Sequence, residues 1–120
     1  MYNSSCVNKV ILLGLVTTEP SWHVLDRKRS LTFTMVTEEM FKKGGKSVDH
    51  QEWHQIRVPE DVMVDIIIEK GMQVYVQGKL QTRQVKDENG IKHYHSEIIA
   101  NIIEVMSFVA PQAAADEPSV

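Results

Sequence analysis

The 120-residue sequence predicts an all-β fold with one helix, in which five strands close into a barrel and the helix follows the third strand. Three observations predict it. Val7–Leu15 (VNKVILLGL) is an aliphatic, β-branched run without helical period. Residues 31–36, 52–58 and 72–80 alternate side-chain character in steps of two, and only between Pro59 and Lys70 does the apolar spacing lengthen to that of a helix.

The first strand, Val7–Leu15, reads as mostly buried and runs into a Thr-Thr-Glu-Pro turn. Ser21–Leu25 is a short extension, and DRKRS a polar turn. The second strand begins at Leu31, where Leu31, Phe33 and Met35 alternate with Thr32, Thr34 and Val36. FKKGGKSVDH, with paired glycines and three lysines, reads as a long mobile hairpin loop. In the third strand, QEWHQIRV, Trp53, Gln55 and Arg57 share one face and His54, Ile56 and Val58 the other. Val62, Met63, Ile66 and Ile67 recur at helical spacing, with Glu60 and Asp61 suited to a first turn and Lys70-Gly71 to a last one. Met72–Val85 places Met72, Val74, Val76, Gly78 and Leu80 on one face; Asp87–Gly90 is a turn, and Ile91–Met106 is the fifth strand. Three strands, a helix and two strands is the order of an OB-fold barrel whose helix plugs one end, although propensity alone does not choose it over another small barrel. The domain is expected to span residues 1–109, and PQAAADEPSV gives residues 110–120 the composition of a short disordered tail.

Composition excludes several classes. No apolar run approaches the roughly 20 residues that span a bilayer. The first residues lack the basic, apolar and small-residue pattern of a secretory leader, so a cytoplasmic, nucleoid-associated location and no membrane partner are expected. Cys6 is the single cysteine and reads as a small residue at a strand entrance rather than a redox group. The formal net charge is −3; setting aside Asp116 and Glu117 leaves 13 basic against 14 acidic side chains, so whole-chain charge gives nucleic-acid binding no support. His93 and His95 share a strand face but lack further ligands at a recognisable spacing, and read as surface histidines rather than a metal site. No nucleophile–base context or phosphate loop stands out, so neither catalysis, metal nor cofactor is expected.

Several ordered stretches resemble the bacterial single-stranded-DNA-binding protein family: NKVILLGLVTTEP (Asn8–Pro20), EWHQIRV (Glu52–Val58) and KGMQVYVQGKLQTRQVKDENG (Lys70–Gly90). The resemblance covers about Val7–Met106 and implies an OB fold, usually a homotetramer, that binds single-stranded DNA without sequence preference and without a cofactor. In such proteins aromatic rings stack on bases while Lys and Arg follow phosphates. The family's third-strand tryptophan matches Trp53, and the aromatic of its second hairpin matches Phe41. Two other stacking positions depart, falling at Pro59 and Val85, and basic positions fall at Gln55, Glu69 and Gln81.

The DNA-contacting candidates are therefore Trp53, Phe41, Arg57, Lys43, Lys42, Arg83, Lys9, Lys79, Lys86 and Trp22. Each has a plainer reading: Phe41 as a loop residue docked on the barrel, Trp22 as cover for the barrel edge, the cations as solvated charge. Trp53 sits among polar neighbours on the face away from Ile56 and Val58, which favours stacking over packing. The resemblance places His54 and Gln73 at a subunit contact, and Tyr75 and Gln77 extend that outward face. The function expected is binding and protection of single-stranded DNA in replication, repair or recombination. The alternative is an OB-fold accessory protein acting through protein contacts. Family members typically end in an acidic tip closing with Pro and an aromatic residue; here Asp116-Glu-Pro-Ser-Val120 lacks the aromatic, so a docking role for replication or repair enzymes is not expected of it.

Overall fold

A computed structural model describes residues 5–108. Six strands follow one another: β1 (Val10–Val16), β2 (Ser21–Leu25), β3 (Lys28–Lys43), β4 (Lys46–Pro59), β5 (Met72–Lys86) and β6 (Lys92–Phe108). They form one sheet in the order β1-β5-β6-β4-β3-β2, which a further β1–β3 pairing closes on itself. The pairs are antiparallel except β4–β6, which is parallel through Ile56↔Ile98 and Arg57↔Ile99. Setting β2 aside, β1, β3, β4, β5 and β6 make the closed five-stranded barrel expected, with OB-fold connectivity.

Alternation fills the barrel. Leu31, Phe33 and Met35 of β3, Ile56 and Val58 of β4, Val74 and Val76 of β5, and Ile98, Ala100 and Ile103 of β6 are all buried in one core with Val16. Two glycines let strands approach where a side chain would not fit: a Cβ at Gly14 would overlap the Val36 carbonyl oxygen, and one at Gly78 the Ile99 carbonyl oxygen. Gly78 lies at a register shift between β5 and β6, which bends the pair around the barrel. Past it β5 leaves the core, so Leu80, which alternation puts on one face with buried Val74 and Val76, is half exposed. The Asn8 side chain pins that departure, donating Nδ2 to the Leu80 carbonyl at 2.8 Å and accepting the Leu80 N–H at 3.0 Å.

Three elements differ from the expectation. The helix over Pro59–Lys70 is reduced to a single 3-10 turn, Glu60–Met63. Val64 is extended and Asp65 left-handed (φ 61°). β-Branched Val64, Ile66, Ile67 and Ile68 favour this extended course. It also buries Met63 and Ile68 together; five residues apart on a helix, they would point about 140° from one another. The extension Ser21–Leu25 is a strand, joined to β3 by a two-residue turn with Asp26 and Arg27 at φ 52° and 66°. FKKGGKSVDH is not a loop. Gly44 and Gly45, at φ 60° and 82°, make the tight turn of a ribbon whose register runs unbroken from Ser30↔Pro59 to Lys43↔Lys46. Paired glycines supply the positive φ that such a turn requires, and so they extend the ladder instead of ending it.

Candidate nucleic-acid interface

The outer face of β3 and β4 carries Thr32, Thr34 and Val36 opposite Arg57, Gln55 and Trp53. β2 on one side and the β5–β6 hairpin on the other raise walls around it. The result is an open groove of about 480 Å³ lined by His23, Val24, Leu25, Thr32, Gln55, Arg57, Arg83, Val85, His95, Ser96 and Glu97. Trp53 continues the same face beyond Gln55 and is 52% exposed, a large apolar ring left in water on a polar strand face. Gln55 is held by its Nε2, which donates to Thr34 Oγ1 at 3.0 Å.

At the groove floor Arg57 Nε donates to Glu97 Oε1 at 3.0 Å, while Arg83 Nε lies 3.6 Å from the same oxygen. The Arg57 and Glu97 side chains are 12% and 11% exposed and that of Arg83 is 37% exposed. Arg57 Nη1 and Arg83 Nε are buried without a hydrogen-bond acceptor among the described residues. Two guanidinium groups against one carboxylate leave a formal surplus of positive charge in a groove whose chain is acidic overall. An acceptor-rich anion is the ligand that satisfies it.

The other candidates separate into groups. Lys42 shares the Trp53 face of the β3–β4 ribbon, whereas Phe41 and Lys43 lie on its opposite face. Trp22 pairs with Leu31, on the face opposite Thr32, and carries the Arg29 guanidinium 4.4 Å from its ring centroid. Arg29 in turn bonds Glu60 at 3.0 Å, tying β3 to the 3-10 turn. Lys9 and Lys79 line a second cavity of about 630 Å³ with Asn8, Asp61, Val62 and Gln77. Lys86 stands opposite Lys92 at the tip of the β5–β6 hairpin. There Asp87 closes the turn: Oδ1 accepts the Asn89 and Ile91 N–H groups, each at 2.9 Å, and Oδ2 lies 2.9 Å from His93 Nε2. The His93 hydrogen bond, followed by the Ile91 N–H, holds the Asp87 carboxyl below its ordinary value of 3.8.

Gln73, Tyr75 and Gln77 face outward on β5, opposite Leu15, Leu13 and Ile11 of β1. Tyr75 donates its hydroxyl to Gln77 Oε1 at 2.9 Å. Ile11, Leu13 and, on β6, Ile102 are exposed around them, so this sheet face is substantially apolar. His54 lies on β4, which borders neither β1 nor β5; it is half-buried and places Nε2 2.9 Å from Thr37 Oγ1. Among the described residues no cluster of three or more His, Cys, Asp or Glu stands where it could hold a metal ion.

The sequence reading did not single out Glu97, His23, Thr32 or Ser96. An acid directly ahead of the apolar triplet Ile98-Ile99-Ala100 was the available signal for Glu97. Its partner Arg57 is 40 residues away and meets it only through the parallel β4–β6 pairing.

The profile of the Single-strand binding protein family matches residues 7–106. Among solved structures, a Plasmodium falciparum SSB in complex with ssDNA superposes with a TM-score of 0.75 at 28% identity, over 88% of this chain and 100% of that one. A deletion mutant of the single-stranded DNA binding protein from Thermus aquaticus gives 0.72 at 22% identity, over 84% of this chain and 51% of that one. A small single-stranded DNA-binding protein from Streptomyces coelicolor gives 0.57 at 19% identity, over 82% and 93%. The last two identities speak to the fold alone. A family profile that spans the barrel from before β1 into β6 settles the question of kinship: the chain belongs to the single-strand binding protein family.

Proposed function

We propose that the protein binds and protects single-stranded DNA without sequence preference, during replication, repair or recombination, and performs no chemistry on it. The observation that carries this reading is the continuity of exposed Trp53 with the Arg57–Arg83 groove on one face of β3 and β4. An OB barrel takes oligonucleotides on this face, between walls made by the neighbouring loops or hairpins. Trp53 supplies a stacking surface open to any base, and the surplus guanidinium charge attracts the phosphates. Family membership and the likeness to an SSB solved with ssDNA support the same ligand. Trp53, Arg83 and Lys42 are the contacts proposed on the groove face, with Arg57 bonded to Glu97 beneath them. Phe41, Lys43, Lys9, Lys79, Lys86 and Trp22 lie on other faces or at hairpin ends, and would contact a strand that wraps beyond it.

The apolar β1–β5 face, with Leu13 half exposed beside Tyr75, supports a homo-oligomer in which a second copy covers it. No helix among the described residues is long and apolar enough to cross a membrane. Titration of a fluorescent oligo-dT at low and moderate salt tests the function. Binding that weakens steeply with salt is expected, and no binding at low salt would leave a role through protein contacts alone. The tail beyond residue 109, with its expected lack of a docking tip, lies outside the described residues.

A further inference from the structure

Arg57 and Arg83 are unequal partners in the groove, and Glu97 makes them so. Both Nε groups converge on Glu97 Oε1, but only Arg57 is within hydrogen-bond reach, at 3.0 Å against 3.6 Å for Arg83. Arg57 and Glu97 are almost equally buried, so their pair is a fixed part of the floor. Arg83 is three times as exposed, and its own Nε is buried without an acceptor. Its guanidinium is thus drawn to a carboxylate that it does not properly bond.

We infer that Glu97 is the groove's built-in counter-anion, holding Arg57 in place as a positioning residue and competing with a nucleic-acid phosphate for Arg83. The inference rests on the single-stranded-DNA reading of the same groove. A phosphate entering beside Arg83 gives that guanidinium the acceptor it lacks, while the Arg57–Glu97 bond survives. Charge at the floor then changes in one place only. Glu97 keeps the groove from carrying two bare guanidinium groups, and it lowers affinity for any polyanion that enters. Arg83 is the phosphate ligand; Arg57 acts through Glu97.

The test is the salt dependence of oligo-dT binding by the full chain, followed by fluorescence, with melting curves as a check on folding. Neutralising one phosphate on a single strand contributes a slope of about −0.7 in log K against log salt, equivalent to about fivefold in affinity at ~0.1 M. Glu97→Gln keeps the side-chain shape and removes the anion that competes for Arg83, so binding tightens by up to about fivefold while the slope does not flatten, because the same phosphate is met. The double variant Arg57→Gln/Glu97→Gln removes one charge of each sign and leaves Arg83 free, so its slope is at least as steep as that of the unmodified protein. Arg83→Gln leaves the Arg57–Glu97 bond standing and flattens the slope by about 0.7. Unchanged or weaker binding by a folded Glu97→Gln protein, or a flattened slope in the double variant, overturns the inference. Should Glu97→Gln fail to fold, an unchanged slope in Arg83→Gln overturns it instead. Failure of the unmodified protein to bind oligo-dT would strike the functional reading itself, which is a separate result.

Discussion

Phe41 pairs with Val48 and Trp53 with Val36 in one unbroken antiparallel register, so the two aromatic side chains leave the β3–β4 ribbon from opposite faces. Trp53 shares the strand face of the groove that holds Arg57 and Arg83, and Phe41 does not. A base stacked on Trp53 and another on Phe41 therefore belong to a strand that passes around the ribbon. Oligo-dT of about four nucleotides, the low end for one OB fold, should engage Trp53 alone. Trp53→Ala is expected to weaken it by about 1–3 kcal/mol without lowering the melting temperature, since the ring is half exposed. Phe41→Ala should matter only for oligonucleotides longer than about 16 nucleotides. Equal losses from both substitutions on the short oligonucleotide would show that the two rings serve one stretch of strand.

Gly78 holds the barrel closed where β5 turns away from the core. A methyl group there meets the carbonyl of Ile99 on the neighbouring strand, a backbone atom that cannot rotate aside as a side chain would. Gly78→Ala is expected to destabilise the fold by about 1–3 kcal/mol, as overpacking of a tight core does. Urea denaturation measures it. A midpoint unchanged from that of the unmodified protein would mean that the β5–β6 pair opens freely at this point.

At the other end of that pair, Asp87 couples the hairpin tip to pH. Its carboxyl is held below 3.8 first by the His93 hydrogen bond and then by the Ile91 N–H, with the Asn89 N–H adding to the same effect. A carboxyl with a depressed folded-state value stabilises the folded turn above its ordinary value and loses that contribution as pH falls through the lower one. Carbon-13 NMR should find the Asp87 midpoint below 3.8, with His93→Ala moving it upward. The Asn89 and Ile91 amides should lose protection over the same acid range. A midpoint at or above 3.8 would contradict the hydrogen-bonded turn.

The barrel was legible because burial of one strand face writes a period of two into the residues. Leu31, Phe33, Met35, Ile56, Val58, Val74 and Val76 were readable in this way and are all buried. The failures came where the same signal has two meanings. The spacing Val62, Met63, Ile66, Ile67 resembles a helix, but a chain crossing the end of a barrel can bury Met63 and Ile68 in an extended course, and β-branching decides for it. Gly44-Gly45 resembles a flexible loop until the polar strands on either side pair. At the site, alternation put Trp53, Gln55 and Arg57 on one outward face, but it could not reveal Glu97. That residue joins the groove through strand neighbours that are remote in sequence, and a local pattern carries no information about such pairing.

The outer face of β1 and β5 yields the last prediction. Leu13 lies opposite Tyr75 and Ile11 opposite Gln77, and Ile102 of β6 stands across from Gln77 on its other side. Leu13 is 51% exposed and points away from the core, so replacing it should leave the barrel folded. In a two-fold interface the same patch meets itself, and a substitution near the axis enters twice. Leu13→Glu then sets two carboxylates against each other in a desolvated apolar contact, where like charges cost several kcal/mol. Light scattering at micromolar concentration should give a multiple of the 13.7 kDa chain mass for the unmodified protein and a reduced mass for Leu13→Glu. Affinity per chain for short oligo-dT should survive, because the groove lies on β3 and β4, while binding of strands long enough to bridge subunits should weaken. A monomer mass for the unmodified protein, or an undiminished assembly in a folded Leu13→Glu variant, would place the subunit contact somewhere other than this face.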